Sequence, residues 1–225
     1  MFGTPGNAGY DRTIMYSPDG RIIQAEYARE AVRRGSSVIA IKCPEGITML
    51  AENRSVSKLI EASEKISQID DNLYIAFSGL LSDSKVLIKE AQVFSQINRI
   101  TYGEECDVES LAWRISKIAQ KITQFGGRPF GVTLIIAGIN NSKPEISVVE
   151  PSGAKYEAKA IAIGREDTEI MSYLESNYRP DMNLEESRKL AEEAFLKINK
   201  DHNDYEILTM DFKNQEVRKD MIKKE

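Results

Sequence analysis

An α+β fold, a four-layer α-β-β-α sandwich with an extra N-terminal helix, is what the element order of this 225-residue chain predicts. Three observations carry that expectation. Helix-period segments come in pairs, strand-like segments cluster between the pairs, and a lone helix pattern precedes the first strands. A helix buries one stripe and a sheet one face or two, so helices stacked outside a pair of sheets satisfy this order.

The first nine residues hold three glycines and one proline and read as a mobile tail. Ser17-Pro18-Asp19-Gly20 is a turn signal, with proline preset for the turn and glycine free to take positive φ. A helix pattern covers 23–34, with alanines and Glu26 and Glu30 early, Arg33 and Arg34 late, and Gly35 as its C-terminal stop. Strand candidates follow at 36–42 and 47–54 around a hairpin turn at 43–46, then at 66–69 and 73–77 around Asp70-Asp71-Asn72. A helix is expected over 80–100. A second begins after Asp107 as N-cap, places Val108, Leu111, Ala112, Ile115, Ala119 and Ile122 on one face, and stops at Gly126-Gly127. The apolar run 132–139 reads as a fully buried strand, and 145–150 and 154–163 as strands around Pro151-Ser152-Gly153. Helices at 165–178 and 184–199 and a strand at 205–211 complete the order, and the charged segment from Val217 reads as a frayed helix. The expected organisation is one domain, 1–225. It divides into a tail and turn at 1–19, a helix at 20–35, the sandwich at 36–216 and a charged C-terminal tail at 217–225.

Hydrophobic residues make up 41% of the chain, enough for one sizeable core, and charged residues 29% with a net charge of −5. That balance argues against nucleic-acid binding, which usually calls for a basic surface. Residues 1–12 contain no apolar core of a secretory signal, and the apolar run at 129–142 is too short to span a bilayer. No membrane association is expected. Two cysteines, Cys43 and Cys106, with one histidine, His202, make neither a disulfide framework nor a common zinc site, so neither metal nor cofactor is expected. No Gly-x-Ser-x-Gly elbow, His-Glu-x-x-His or phosphate loop occurs, and the one histidine, in a polar stretch at 200–204, reads as a solvated loop residue.

Tyr10-Asp11-Arg12-Thr13, Tyr16-Ser17-Pro18-Asp19-Gly20-Arg21 and Gln24-Ala25-Glu26-Tyr27-Ala28 resemble the N-terminal signature of proteasome core-particle α-type subunits, of archaeal type. Glu64-Lys65-Ile66, Ser78-Gly79-Leu80 and the stretch from Gln124 through Phe125, Gly126, Gly127, Arg128, Pro129 and Phe130 to Gly131 extend the resemblance over nearly the whole chain. It implies the Ntn-hydrolase sandwich, which agrees with the element order. It also implies a cytoplasmic protein that forms a seven-membered outer ring with other α-subunits. Such a ring stacks on proteolytic β-subunits, receives an activating ATPase, and serves ubiquitin-independent protein degradation.

Site residues carry over by motif. Lys65, Gly35, Ile22, Leu80 and Ser152 match the pocket that receives an activator's C-terminal tail, which ends hydrophobic–tyrosine–any residue. A lysine there suits the tail carboxylate, and Gly35 leaves room for an incoming backbone. Tyr10, Asp11, Pro18 and Tyr27 match a cluster that holds the open gate, and Glu26 and Arg29, three apart on one helix, could brace it or reach a neighbour. Gly126, Gly127, Arg128, Pro129 and Phe130 match the loop that lines the entrance channel.

The same resemblance argues against a catalytic site in this chain. Active β-subunits use an N-terminal threonine whose free amine helps take the proton. Here the matching position is Ser36, behind 35 residues, although Glu52 and Lys65 fall where β-subunits carry their acid and lysine. The helix at 23–34 is expected to occupy the cleft that substrate would need. Two alternatives remain open, a free-standing ring scaffold and a catalytic Ntn-hydrolase subunit.

Overall fold

The computed structural model describes Gly9, residues 15–53, Leu59, and residues 63–140, 143–199 and 204–223. The N-terminal tail, the gate positions Tyr10 and Asp11, and His202 lie outside the described residues. Helix α1 spans Ile23–Arg33 and buries Ile23, Ala25, Ala28 and Val32. Strands β1 (Val38–Cys43), β2 (Gly46–Glu52), β3 (Ile66–Asp70) and β4 (Leu73–Gly79) follow, then helices α2 (Leu81–Tyr102) and α3 (Val108–Gln124). Strands β5 (Val132–Asn140), β6 (Lys143–Val149), β7 (Lys155–Glu157) and β8 (Ala160–Ile163) come next. Helices α4 (Asp167–Asn177) and α5 (Leu184–Ile198) and strands β9 (Tyr205–Asp211) and β10 (Glu216–Ile222) close the chain.

The strands form two five-stranded sheets, ordered β10-β9-β2-β1-β8 and β3-β4-β5-β6-β7, with antiparallel pairing throughout. Three apolar cores fill the sandwich. The first packs α2 and α3 on the second sheet through Phe77, Leu87, Leu111, Ile115 and Ile136. The second lies between the sheets through Val38, Met49, Ile66, Ile135 and Leu208. The third packs α4 and α5 on the first sheet through Ile39, Leu50, Ile170, Phe195 and Ile207. Alternate residues of β1 serve different cores, Val38 and Ala40 facing inward and Ile39 and Ile41 facing the helices. This is the four-layer α-β-β-α sandwich with an added N-terminal helix.

Helix ends follow local chemistry. The Asp107 carboxylate accepts from the Ser110 amide at the start of α3. Asn183 and Glu186 form a reciprocal capping box at the start of α5.

Two sequence expectations are corrected. The segment 154–163 is two strands, not one: β7 pairs with β6 in one sheet and β8 with β1 in the other. The chain changes layers near Ala158 and Lys159, where the Ala158 amide donates to Ile146 and the Lys159 carbonyl accepts from Lys42. The charged segment from Val217 is no helix; residues 216–222 pair along all of β9, and the sandwich extends to Ile222. Its charges are compatible with a strand because β10 is an edge strand and largely exposed.

Candidate functional site

Lys65 stands at the open end of the second sheet, immediately before the edge strand β3. Its neighbour Ile66 faces the core between the sheets, so alternation turns Lys65 toward α2. There its Nζ lies 4.4 Å from the centre of the buried Phe77 ring. Among the described residues no carboxylate oxygen comes within ion-pairing distance of that Nζ. Burial pushes the Lys65 ammonium below the usual lysine range, against the more distant pull of Glu52 and Glu206 and with a small push from Lys85 on α2. Leu80, 44% exposed, precedes α2 as an N-cap with no side-chain cap. The arrangement is a partly desolvated cation over Phe77, at the same sheet end as an exposed leucine and a helix start with no side-chain cap, which is suited to a carboxylate next to an apolar residue.

The other expected pocket positions are spread around this end. Ile22 is the N-cap of α1, where its carbonyl accepts from Ala25. Gly35 has an internal reason to be glycine: a Cβ would stand 2.4 Å from the Gly79 nitrogen and 2.4 Å from Ser78 Oγ. The room expected there for an incoming backbone is taken by this chain's own backbone. Ser152 lies in the β6–β7 turn, and its hydroxyl accepts from the Ala154 amide. Since β3 and β6 are three strand spacings apart, about 14 Å, Lys65 and Ser152 flank opposite sides of one sheet end. One copy does not bring them together.

At the gate positions, Gly20 donates to the Ser17 carbonyl at 2.8 Å, closing the turn that carries exposed Pro18. The Ser17 hydroxyl, buried in this turn, donates to Asp19 and to the Arg21 carbonyl. Tyr27 is 54% exposed on α1. Glu26 and Arg29 do not brace each other. Glu26 takes Arg21 through two bonds, one of them 2.6 Å, and Arg29 reaches Glu150 at 3.1 Å. The Arg21 guanidinium holds the Glu26 carboxyl below its ordinary range. Thus α1 is tied to its own entry turn at one end and to the β6–β7 connection further along.

The loop after α3 is held from α2. Gly126 has φ of +87°, which favours glycine there. Arg128 donates to both oxygens of Asp83 at 2.8 and 2.9 Å, and the Gly131 amide donates to the same carboxylate at 2.8 Å. Asp83 is 5% exposed, and Arg128 beside it holds its carboxyl below the usual range. Pro129 is buried, and Phe130 packs against the core under α2 and α3.

Around Ser36 the structure is closed. Ser36 is peptide-linked to Gly35 and 9% exposed, and its carbonyl accepts from Ser78 Oγ at 2.8 Å. Ser78 Oγ also lies 3.2 Å from the Val32 carbonyl of α1, and Ala31 packs against Gly131. Helix α1 therefore covers the ends of β4 and β5, leaving a cavity of about 170 Å³ lined by Arg29, Val32, Glu150 and Asp167 among others. Glu52 is fully buried. One oxygen accepts from the Ser37 amide at 3.1 Å, and the other has no hydrogen-bond partner among the described residues.

Sequence reasoning missed Asp83, Glu206 and Lys219. For Glu206 a signal existed: it is a charge in the alternating set whose other members, Leu208 and Met210, are apolar.

A two-sheet sandwich between helix layers, with an N-terminal helix laid over one end, is the Ntn-type architecture. A family model described as "Proteasome subunit" matches residues 32–209, and a second model, for the N-terminal signature of the A-type proteasome subunits, matches residues 10–31. The chain belongs to the proteasome subunit family and carries its α-type signature. It is 47% identical over 202 residues to the proteasome alpha subunit of Thermococcus sibiricus, covering 88% of this chain and 77% of that one. It is 48% identical over 198 residues to the proteasome alpha subunit of Methanocaldococcus jannaschii, covering 86% and 76%. With the protein of that name from Archaeoglobus fulgidus it shares 47% over 187 residues, 81% of this chain and 76% of the relative. No helix among the described residues is long and apolar enough to cross a membrane.

Proposed function

We propose that this chain is a non-catalytic ring subunit that gates entry to a proteolytic chamber and docks the C-terminal tail of an activating ATPase. The ring is seven-membered, stacks on β-subunits and works in the cytoplasm in ubiquitin-independent degradation. The observation that carries the docking role is Lys65: a part-buried ammonium over Phe77, with no carboxylate in ion-pairing range among the described residues, at the same sheet end as exposed Leu80. A peptide carboxylate supplies the missing anion, and the preceding apolar residue covers Leu80. Ser152 at the far side of the same sheet end supports a pocket between two adjacent copies.

The gate reading is supported by the Ser17–Arg21 turn. It joins the N-terminal segment to α1 through Arg21 and Glu26, so a displacement of the turn is felt by both. Docking opens the gate only if the tail binds the open ring better than the closed one. The covered Ser36, bonded to Gly35 and lying under α1, supports the non-catalytic assignment.

The test is peptide hydrolysis by the ring assembled with its β-subunits, with and without the ATPase. Lys65→Ala is expected to assemble normally and lose stimulation, while deletion of residues 2–9 raises hydrolysis without the ATPase. Normal stimulation of Lys65→Ala would sink the docking role. Peptide hydrolysis by this chain without β-subunits would sink the non-catalytic one.

A further inference from the structure

We propose that Lys219, on the last strand, is a positioning residue that fixes the backbone on both sides of Lys65 and so sets the geometry of the docking site. The assignment rests on the docking role of Lys65.

Glu206, the second residue of β9, is fully buried. One of its oxygens accepts the backbone amide of Lys65 and, at 2.8 Å, that of Ile66. The other lies 2.9 Å from Lys219 Nζ. The same ammonium donates to the Ile66 carbonyl at 2.9 Å and stands 3.3 Å from the Glu64 carboxylate. Lys219 therefore touches the residue before Lys65, the residue after it, and the carboxylate that holds its amide.

Register explains why these groups meet. Lys219 pairs with Leu208, two residues from Glu206, so both charged side chains share the face of the first sheet turned toward the second. Strand β3 is an edge of the second sheet and, among the described residues, pairs only with β4. Its free side, next to Lys65, has no ladder partner among the described residues; Glu206 and Lys219 supply its anchor across the gap between sheets. A buried carboxylate stripped of its cation is strongly disfavoured. Without Lys219, Glu206 must draw in water in its place, which opens the corner that holds residues 64–66. The side chain of Lys65 stands on that backbone, so its Nζ leaves its position over Phe77.

The test uses the full chain assembled with its β-subunits, in wild-type, Lys219→Met, Lys219→Arg and Lys65→Ala forms. Amide hydrogen exchange is read at Lys65 and Ile66. Affinity is measured by fluorescence anisotropy for a synthetic peptide ending hydrophobic–tyrosine–any residue with a free carboxylate. Lys219→Met is expected to speed exchange at these two amides roughly ten- to a hundredfold. It should weaken the peptide about tenfold and lower the melting temperature by several degrees with ring size unchanged, and Lys219→Arg should restore exchange and affinity. Unchanged exchange at Lys65 and Ile66 in Lys219→Met overturns the assignment. So does faster exchange spread evenly over β9 and β10 with loss of the ring, which marks a purely structural role. If Lys65→Ala binds the peptide as wild type does, the docking role itself fails. If Lys65→Ala loses the peptide while Lys219→Met keeps it, docking stands and the positioning role fails.

Discussion

Replacing Asp83 with alanine removes the acceptor that fastens the loop after α3 to the first turn of α2. The Gly131 amide, which donates to Asp83 at 2.8 Å, is buried, and leaving it without an acceptor costs about 1–3 kcal/mol. Arg128 adds less despite its two short bonds, because its side chain is 61% exposed; exposed pairs contribute about 0–1 kcal/mol. Asp83 also sits in the first turn of α2, where a negative charge contributes about 0.3–1 kcal/mol. The sum is roughly 3 kcal/mol, and a domain of this length loses about 2–4 °C per kcal/mol, so a fall of about 6–12 °C is expected at pH 7. The sign with pH follows from the carboxyl. Arg128 holds it below the ordinary range in the folded chain, so its contribution is full above the unfolded value of about 3.9 and is lost as pH falls through the lower, folded value. Thermal unfolding of wild type and Asp83→Ala, followed by circular dichroism with size measured alongside, should show a gap that narrows below about pH 4. A gap under about 2 °C at pH 7, or one that does not narrow in acid, refutes this account of the loop.

Phe195 is fully buried and meets Tyr205 edge to face at 5.3 Å, so Phe195→Ala should cost about 3–5 kcal/mol in chemical unfolding and Phe195→Leu less than half of that. Equal losses would show that this core collapses around the missing ring. Because burial lowers the Lys65 ammonium, tail-peptide affinity should fall with rising pH before an exposed lysine would titrate. Lys65→Arg, charged throughout, should flatten that fall, and parallel curves for the two proteins would argue against this ammonium as the titrating group.

Much of this architecture is legible in the sequence. The span 205–211 is found as read, because its apolar alternation ends at clear turn residues, and α3 starts after Asp107 as its capping chemistry demands. The span 154–163 is not legible as two strands, since apolar pattern reports burial and not which sheet supplies the ladder partner. Strand β10 escapes for a related reason: charges tolerated on an exposed edge look like those of a solvated helix. At the site, motif finds Lys65 but not its surroundings. Glu206 lies 141 residues from Lys65 in sequence, and helical spacing of Glu26 and Arg29 does not foretell their separate partners, Arg21 and Glu150.

The bond from Lys219 to the Ile66 carbonyl spans 153 residues, and this has a consequence in time. At a synthesis rate of about 5–20 residues per second, Lys219 emerges roughly 8–30 s after β3. For most of that interval the backbone around Lys65 lacks both Glu206 and Lys219, and the edges of the two sheets are not yet latched. The corner around Lys65 is therefore completed only after a further 153 residues have been made. Truncation before β10 would leave a chain whose sandwich is nearly whole and whose Lys65 corner is unfinished.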